Sequence, residues 1–85
     1  MPLIKILFFA KAKDLIKQSE AEIDLPSAEL TINQLFEAIE HQWPDLQKFK
    51  RTFAIALNEE YLDLDSTVTL QPQDTLAVIP PISGG

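Results

Sequence analysis

Thr75-Leu76-Ala77-Val78-Ile79-Pro80-Pro81-Ile82-Ser83-Gly84-Gly85 decides how this chain is read. The first five residues form an aliphatic run of strand length. Pro80 and Pro81 then fix φ and lack the amide hydrogen that a ladder needs, so the sheet is expected to stop at Ile79. The residues from Pro80 onward reach about 20 Å when extended. Gly84 and Gly85 are the only two glycines among 85 residues, although glycine is the usual choice where a turn needs a left-handed backbone. A glycine pair threads a narrow channel in another protein and presents a free α-carboxylate at its tip. The chain therefore reads as a domain over residues 1–79 and an extended tail over residues 80–85, with the reactive group expected at the terminus.

Working back from the tail, Phe53-Ala54-Ile55-Ala56-Leu57 reads as a buried strand. Asn58-Glu59-Glu60 follows as a turn, with Tyr61-Leu62 pairing briefly beyond it. At the other end, Ile4, Ile6 and Phe8 alternate with Lys5, Leu7 and Phe9, giving a strand with one fully apolar face and a second that is unusually apolar. Ala21, Ile23 and Leu25 alternate with Glu20, Glu22 and Asp24 in a second strand with a solvated acidic face. A short helical turn over Ala12 to Lys17 joins the two. Thr31-Ile32-Asn33-Gln34 is a capping-box pattern, and Ile32, Leu35, Phe36, Ile39 and Trp43 recur behind it at helical spacing until Pro44 closes the run. Pro44 starts a short further helix carrying Leu46 and Phe49. The economical arrangement is an α+β fold: a mixed sheet of four to five strands, one main helix and short extra helices. The first and last strands are expected as parallel neighbours at its centre.

Composition narrows the function. Thirteen acidic against seven basic residues give a net charge of −6, which repels nucleic acid and anionic membrane surfaces. No stretch approaches the roughly 20 apolar residues of a membrane span. The apolar start meets an Ala-x-Ala triplet, but Lys5 interrupts it and it alternates like a strand, so it reads as mature structure. Without cysteine there is no thiolate nucleophile and no cysteine-based metal site, and a cytoplasmic location fits. His41 is the only histidine and reads as a solvated helix residue; Asp63 and Asp65 lack the further oxygen ligands of a calcium loop. No metal site is expected.

Leu7-Phe8-Phe9-Ala10 with Lys13-Asp14-Leu15, and Pro80-Pro81-Ile82-Ser83-Gly84-Gly85 at the far end, resemble the ubiquitin-like β-grasp sulfur carriers, and most closely the MoaD family of molybdopterin synthase small subunits. The resemblance spans the whole chain. It implies that the chain alone binds no cofactor: a MoeB-like activating enzyme uses ATP to adenylate the Gly85 carboxylate, and a sulfur donor converts the glycyl-AMP to a thiocarboxylate. It also implies a MoaE-like large subunit, in a heterotetramer, as the partner that takes up the tail. There the sulfur passes to cyclic pyranopterin monophosphate, and the catalytic side chains belong to that partner. Two alternatives share the adenylation step: a ThiS-like carrier for thiamine, which the Pro-Pro and the chain length argue against, and a Urm-type protein modifier joined to lysines through Gly85.

The expected reacting residues are Gly85, with Gly84 before it. Pro80, Pro81, Ile82 and Ser83 are expected to contact the partner along the tail. The resemblance implies Ile79 as a docking residue, and the sequence adds Phe9 and Leu62. Leu7 and Phe9 share a face with Lys5, opposite Thr75, Ala77 and Ile79, and form an exposed apolar patch unless loops cover it. Lys13 stands where the family often has arginine, and reads either as a carboxylate contact without the bidentate fork or as a solvated helix-end lysine. Trp43 and Phe36, at helical spacing, are expected in the core.

Overall fold

A computed structural model describes residues 3–49 and 51–80. Strand β1 (Leu3–Phe8) buries Ile4, Ile6 and Phe8 and turns Lys5 and Leu7 to the other side, as its alternation requires. It pairs antiparallel with β2 (Glu20–Asp24) and parallel with β7 (Thr75–Ile79). On its other side β7 pairs antiparallel with β4 (Ala54–Leu57), and β4 with the short β5 (Glu60–Tyr61). The sheet order is β2-β1-β7-β4-β5, so the first and last strands do meet in parallel at its centre.

One main helix, α2 (Ile32–Gln42), covers one face of this sheet. Its start is the expected capping box: Gln34 N–H donates to the Thr31 hydroxyl at 3.1 Å, and Thr31 N–H donates to the Gln34 side-chain oxygen at 2.9 Å. Ile32, Leu35, Phe36 and Ile39 point inward and join Ile4, Ile6, Phe8, Ile55, Leu76 and Val78 in a single core. Each such fully buried side chain contributes about 1.5–3 kcal/mol. The helix ends before Pro44, which opens a 3-10 helix (Pro44–Phe49). Trp43 and Phe36 pack inward as expected: the Trp43 ring meets Phe8 edge-on at 4.9 Å, and Phe36 meets Phe53 at 5.0 Å. Glu40, the one buried charged residue among those described, is paired with Arg51 at 3.3 Å, and the Arg51 guanidinium lies over the Phe36 ring.

A second, two-stranded sheet joins β3 (Glu29–Thr31) to β6 (Thr67–Thr69), with Leu30 opposite Val68. Neither strand is among those expected from the sequence. Three residues are too few for an alternation to show, and β3 runs straight into the helix that Thr31 caps.

Turns built without glycine leave their mark on the backbone. Ala10, Lys17, Arg51, Asn58 and Glu59 all have φ between 50° and 74°, a region that a side chain makes costly. Lys17 ends helix α1 (Ala10–Ile16) there, its N–H donating to the Lys13 carbonyl at 2.8 Å. Replacing Lys17 by glycine is expected to stabilise the fold by about 1 kcal/mol, the relief of one left-handed side-chain clash. Urea denaturation would register this as a raised midpoint with an unchanged slope.

Candidate docking face

With α2 and the core on one side of the sheet, the other side is left open. Strand register sets its composition. Glu20 lies beside Leu7, Leu7 beside Ala77, Ala77 beside Ala56, and Ala56 beside Tyr61, so one continuous row crosses all five strands. The two alanines at its middle are flanked by the larger Leu7 and Tyr61, which makes the row a trough rather than a ridge. Lys5, Phe9, Thr75 and Ile79 extend it along β1 and β7, and Asn58 and Glu59 form part of the rim. The resulting depression has a volume of about 730 Å³. Phe9 is 45% exposed and Tyr61 69% exposed, an unusual investment of aromatic surface in water. Lys5 and Glu20 stand within ion-pair range of each other at 3.8 Å, both exposed.

The structure brings Phe9 and Ile79 onto this face but not Leu62. Alternation puts Leu62 on the opposite side of the hairpin, half-buried against the core, in a separate cleft with Ile32, Phe36, Phe53 and Leu64. Its neighbour Tyr61 occupies the open face. The two-residue connection Asn58-Glu59 was the available signal, because it makes Ala56 the partner of Tyr61. Lys13 is exposed on α1 and takes part in neither of the two ion pairs among the described residues. Pro80 is buried directly after β7, so the strand ends at Ile79 as its prolines dictate. Pro81, Ile82, Ser83, Gly84 and Gly85 lie outside the described residues.

Asn58 ties the β4–β5 turn to the start of β7. Its N–H donates to the Thr75 carbonyl at 2.9 Å, while its side-chain oxygen accepts from Thr75 N–H at 3.0 Å. Its side-chain amide donates to one Asp74 carboxylate oxygen at 3.0 Å, and Gln71 N–H donates to the other at 2.8 Å. These bonds, Asn58 first, hold the Asp74 carboxyl below its ordinary range. The turn at Gln73 is closed by Asp74 N–H donating to the Gln71 carbonyl at 3.0 Å.

The open face is thus an apolar depression next to Pro80, with its charged groups at the rim. Among the described residues no group of three or more metal-binding side chains gathers, and no helix is long and apolar enough to cross a membrane. The model of the ThiS family matches residues 6–85.

The chain belongs to the ThiS family.

Within that family, it resembles the molybdopterin synthase small subunits, as the two ends of the sequence implied. It is 37% identical to a molybdopterin synthase sulfur carrier subunit of Dictyostelium discoideum, over 95% of this chain and 94% of the relative. It is 40% identical to that of Arabidopsis thaliana, over 96% and 82% respectively. Among solved structures, SAMP1 from Haloferax volcanii superposes with a TM-score of 0.76 at 20% identity, over 98% of this chain and 99% of that one. A chain of the complex of subunits 1 and 2 of molybdopterin-converting factor from Helicobacter pylori aligns with a TM-score of 0.64 at 26% identity, over 98% of this chain and 99% of that one. The expected ubiquitin-like β-grasp is the fold observed.

In this ThiS-family chain the Asp74 bonds carry a pH signature. A carboxyl whose pKa is lower when folded stabilises the fold fully above its unfolded value, and that contribution disappears as pH falls through the folded value. The stability difference between the wild-type chain and Asp74→Ala is therefore expected to be largest at neutral pH and to shrink once the pH drops below about 3.9. Denaturant midpoints recorded from neutral to strongly acidic pH would test this; a difference that grows with acid contradicts the assignment.

Proposed function

We propose that this chain is the sulfur-carrier small subunit of a molybdopterin synthase. The observation that carries the reading is its near full-length kinship with named sulfur carrier subunits. In this reading the Gly85 carboxylate attacks the α-phosphate of ATP on a MoeB-like activating enzyme and releases pyrophosphate. The acyl adenylate is needed because a free carboxylate is a poor electrophile, whereas AMP is a stable leaving group. A sulfur donor displaces AMP and leaves a thiocarboxylate, a soft nucleophile that is ionised at neutral pH. Gly84, without a side chain, lets this end pass into the large subunit, where sulfur moves to cyclic pyranopterin monophosphate and water restores the carboxylate.

Docking of that MoaE-like subunit, in a two-plus-two heterotetramer, falls to the open face. Phe9, Tyr61 and Ile79 supply apolar contact, with Pro80, Pro81, Ile82, Ser83 and the charge of Lys13 as further partner contacts. The assembly of subunits 1 and 2 from Helicobacter pylori supports a partner of this kind. A cytoplasmic location accompanies the reading.

A chain tagged at its N-terminus and recovered from its native host tests both parts at once. The expected result is a synthase large subunit in the eluate and sulfur in place of oxygen on Gly85. Fragment masses must place the change there, because oxidation of Met1 gives nearly the same intact mass. Gly85 joined to lysines of many proteins, with no large subunit, would instead make the chain a Urm-type modifier; a thiazole-forming partner would make it a thiamine carrier.

Two variants sharpen the test. Removing Gly84 and Gly85 is expected to abolish adenylation while leaving thermal unfolding unchanged, and a truncated chain that still supports molybdopterin formation would refute the tail's role. Tyr61→Asp is expected to weaken large-subunit binding by about 2 kcal/mol, as for an aromatic anchor that loses its contact, while changing stability by less than about 0.5 kcal/mol. Calorimetric titration and thermal melts measure the two separately.

A further inference from the structure

The connection between β4 and β5 consists of Asn58 and Glu59, with Leu57 paired to Glu60 on either side. Both residues have positive φ, 50° and 74°. A two-residue hairpin of this hand requires that geometry, and its favoured sequence is Asn-Gly. Asn58 meets the preference. Glu59 occupies the position where glycine relieves the strain, and it is exposed. Strain of this kind persists where the surrounding structure over-determines it, and here it does: Asn58 donates to the Thr75 carbonyl and to Asp74 and accepts from Thr75 N–H, which pins the turn to the start of β7.

What the strained residue contributes is a carboxylate at a particular place. Glu59 lines the open face on the same rim as Asn58 and Tyr61. At the opposite end of the trough, Glu20 has Lys5 at 3.8 Å. Glu59 belongs to neither ion pair found among the described residues. The face therefore offers apolar surface with a fixed negative charge at its Tyr61 end.

We propose that Glu59 determines specificity on the docking face by pairing with a lysine or arginine of the protein that receives the tail, and that Asn58 and Asp74 are its positioning residues. This rests on the docking reading given above. A rim charge acts chiefly on recognition and association, and its effect is screened by salt. The turn thus gives up stability to hold a charge where a cationic side chain meets it.

The test uses the intact chain and the large subunit recovered with it. Glu59→Gln, which removes only the charge, is expected to weaken binding about threefold to fivefold at low salt, with the difference vanishing in molar salt, where the Debye length is about 3 Å. Glu59→Gly is expected to weaken binding equally while raising the melting temperature, an opposition that a merely structural role does not produce. Asn58→Ala is expected to weaken binding as Glu59→Gln does, with no further loss in the double variant; Asp74→Asn serves the same purpose where Asn58→Ala fails to fold. Wild-type affinity in both Glu59 variants would overturn the proposal, and additive losses in the double variant would overturn the positioning role. Tyr61→Asp separates the levels: if it loses binding while the Glu59 variants do not, only this inference fails. If Tyr61→Asp also binds normally, the docking reading fails with it.

Discussion

Parallel pairing of β1 with β7 is the contact on which the molecule depends, because it joins the two ends of the domain and supplies the middle of the sheet. Lys5 stands beside Thr75 and Phe8 beside Val78. Without that pairing, β2 has only β1, and β4 with β5 has no attachment to either. The core follows from it, since Ile4, Ile6 and Phe8 meet Leu76 and Val78 on the side that α2 covers. The Phe9 N–H, donating to the Val78 carbonyl at 3.2 Å, continues the register one step past the strand and sets where α1 begins.

A single helical layer also explains why one face of the sheet stays open. Helices α1 and α2 and a 3-10 turn cover one face, so period-2 alternation leaves every second residue of five strands on the uncovered side. In a protein with only a structural task that side would be polar. Here Leu7, Phe9, Ala56, Tyr61, Ala77 and Ile79 occupy it, next to the point where Pro80 ends the sheet. The open face and Pro80 thus share one strand, β7, and any displacement of that strand moves both.

Strand alternation, the capping box at Thr31 and the prolines at 44 and 80 were legible because each is a local rule written in adjacent residues. Tyr61 and Leu62 show where such rules stop. Which of the two faces the trough depends on pairing with Ala56, and that register is set by a two-residue turn whose signature is obscured by Glu59 in the glycine position. The β3–β6 pair was equally hidden, because Leu30 and Val68 recognise each other across the whole of α2 and β4. The tie between Asn58 and Asp74 joins two turns far apart in sequence. No pattern within either one announces the other.

The central position of β7 has a consequence for how the protein comes into being. A nascent chain that has not reached Thr75 holds most of its hydrophobic residues but lacks the strand around which they close. Contacts between distant parts of a chain are also the slowest to form. Closure of the sheet therefore waits until β7 has been made, and the open face has no middle before then.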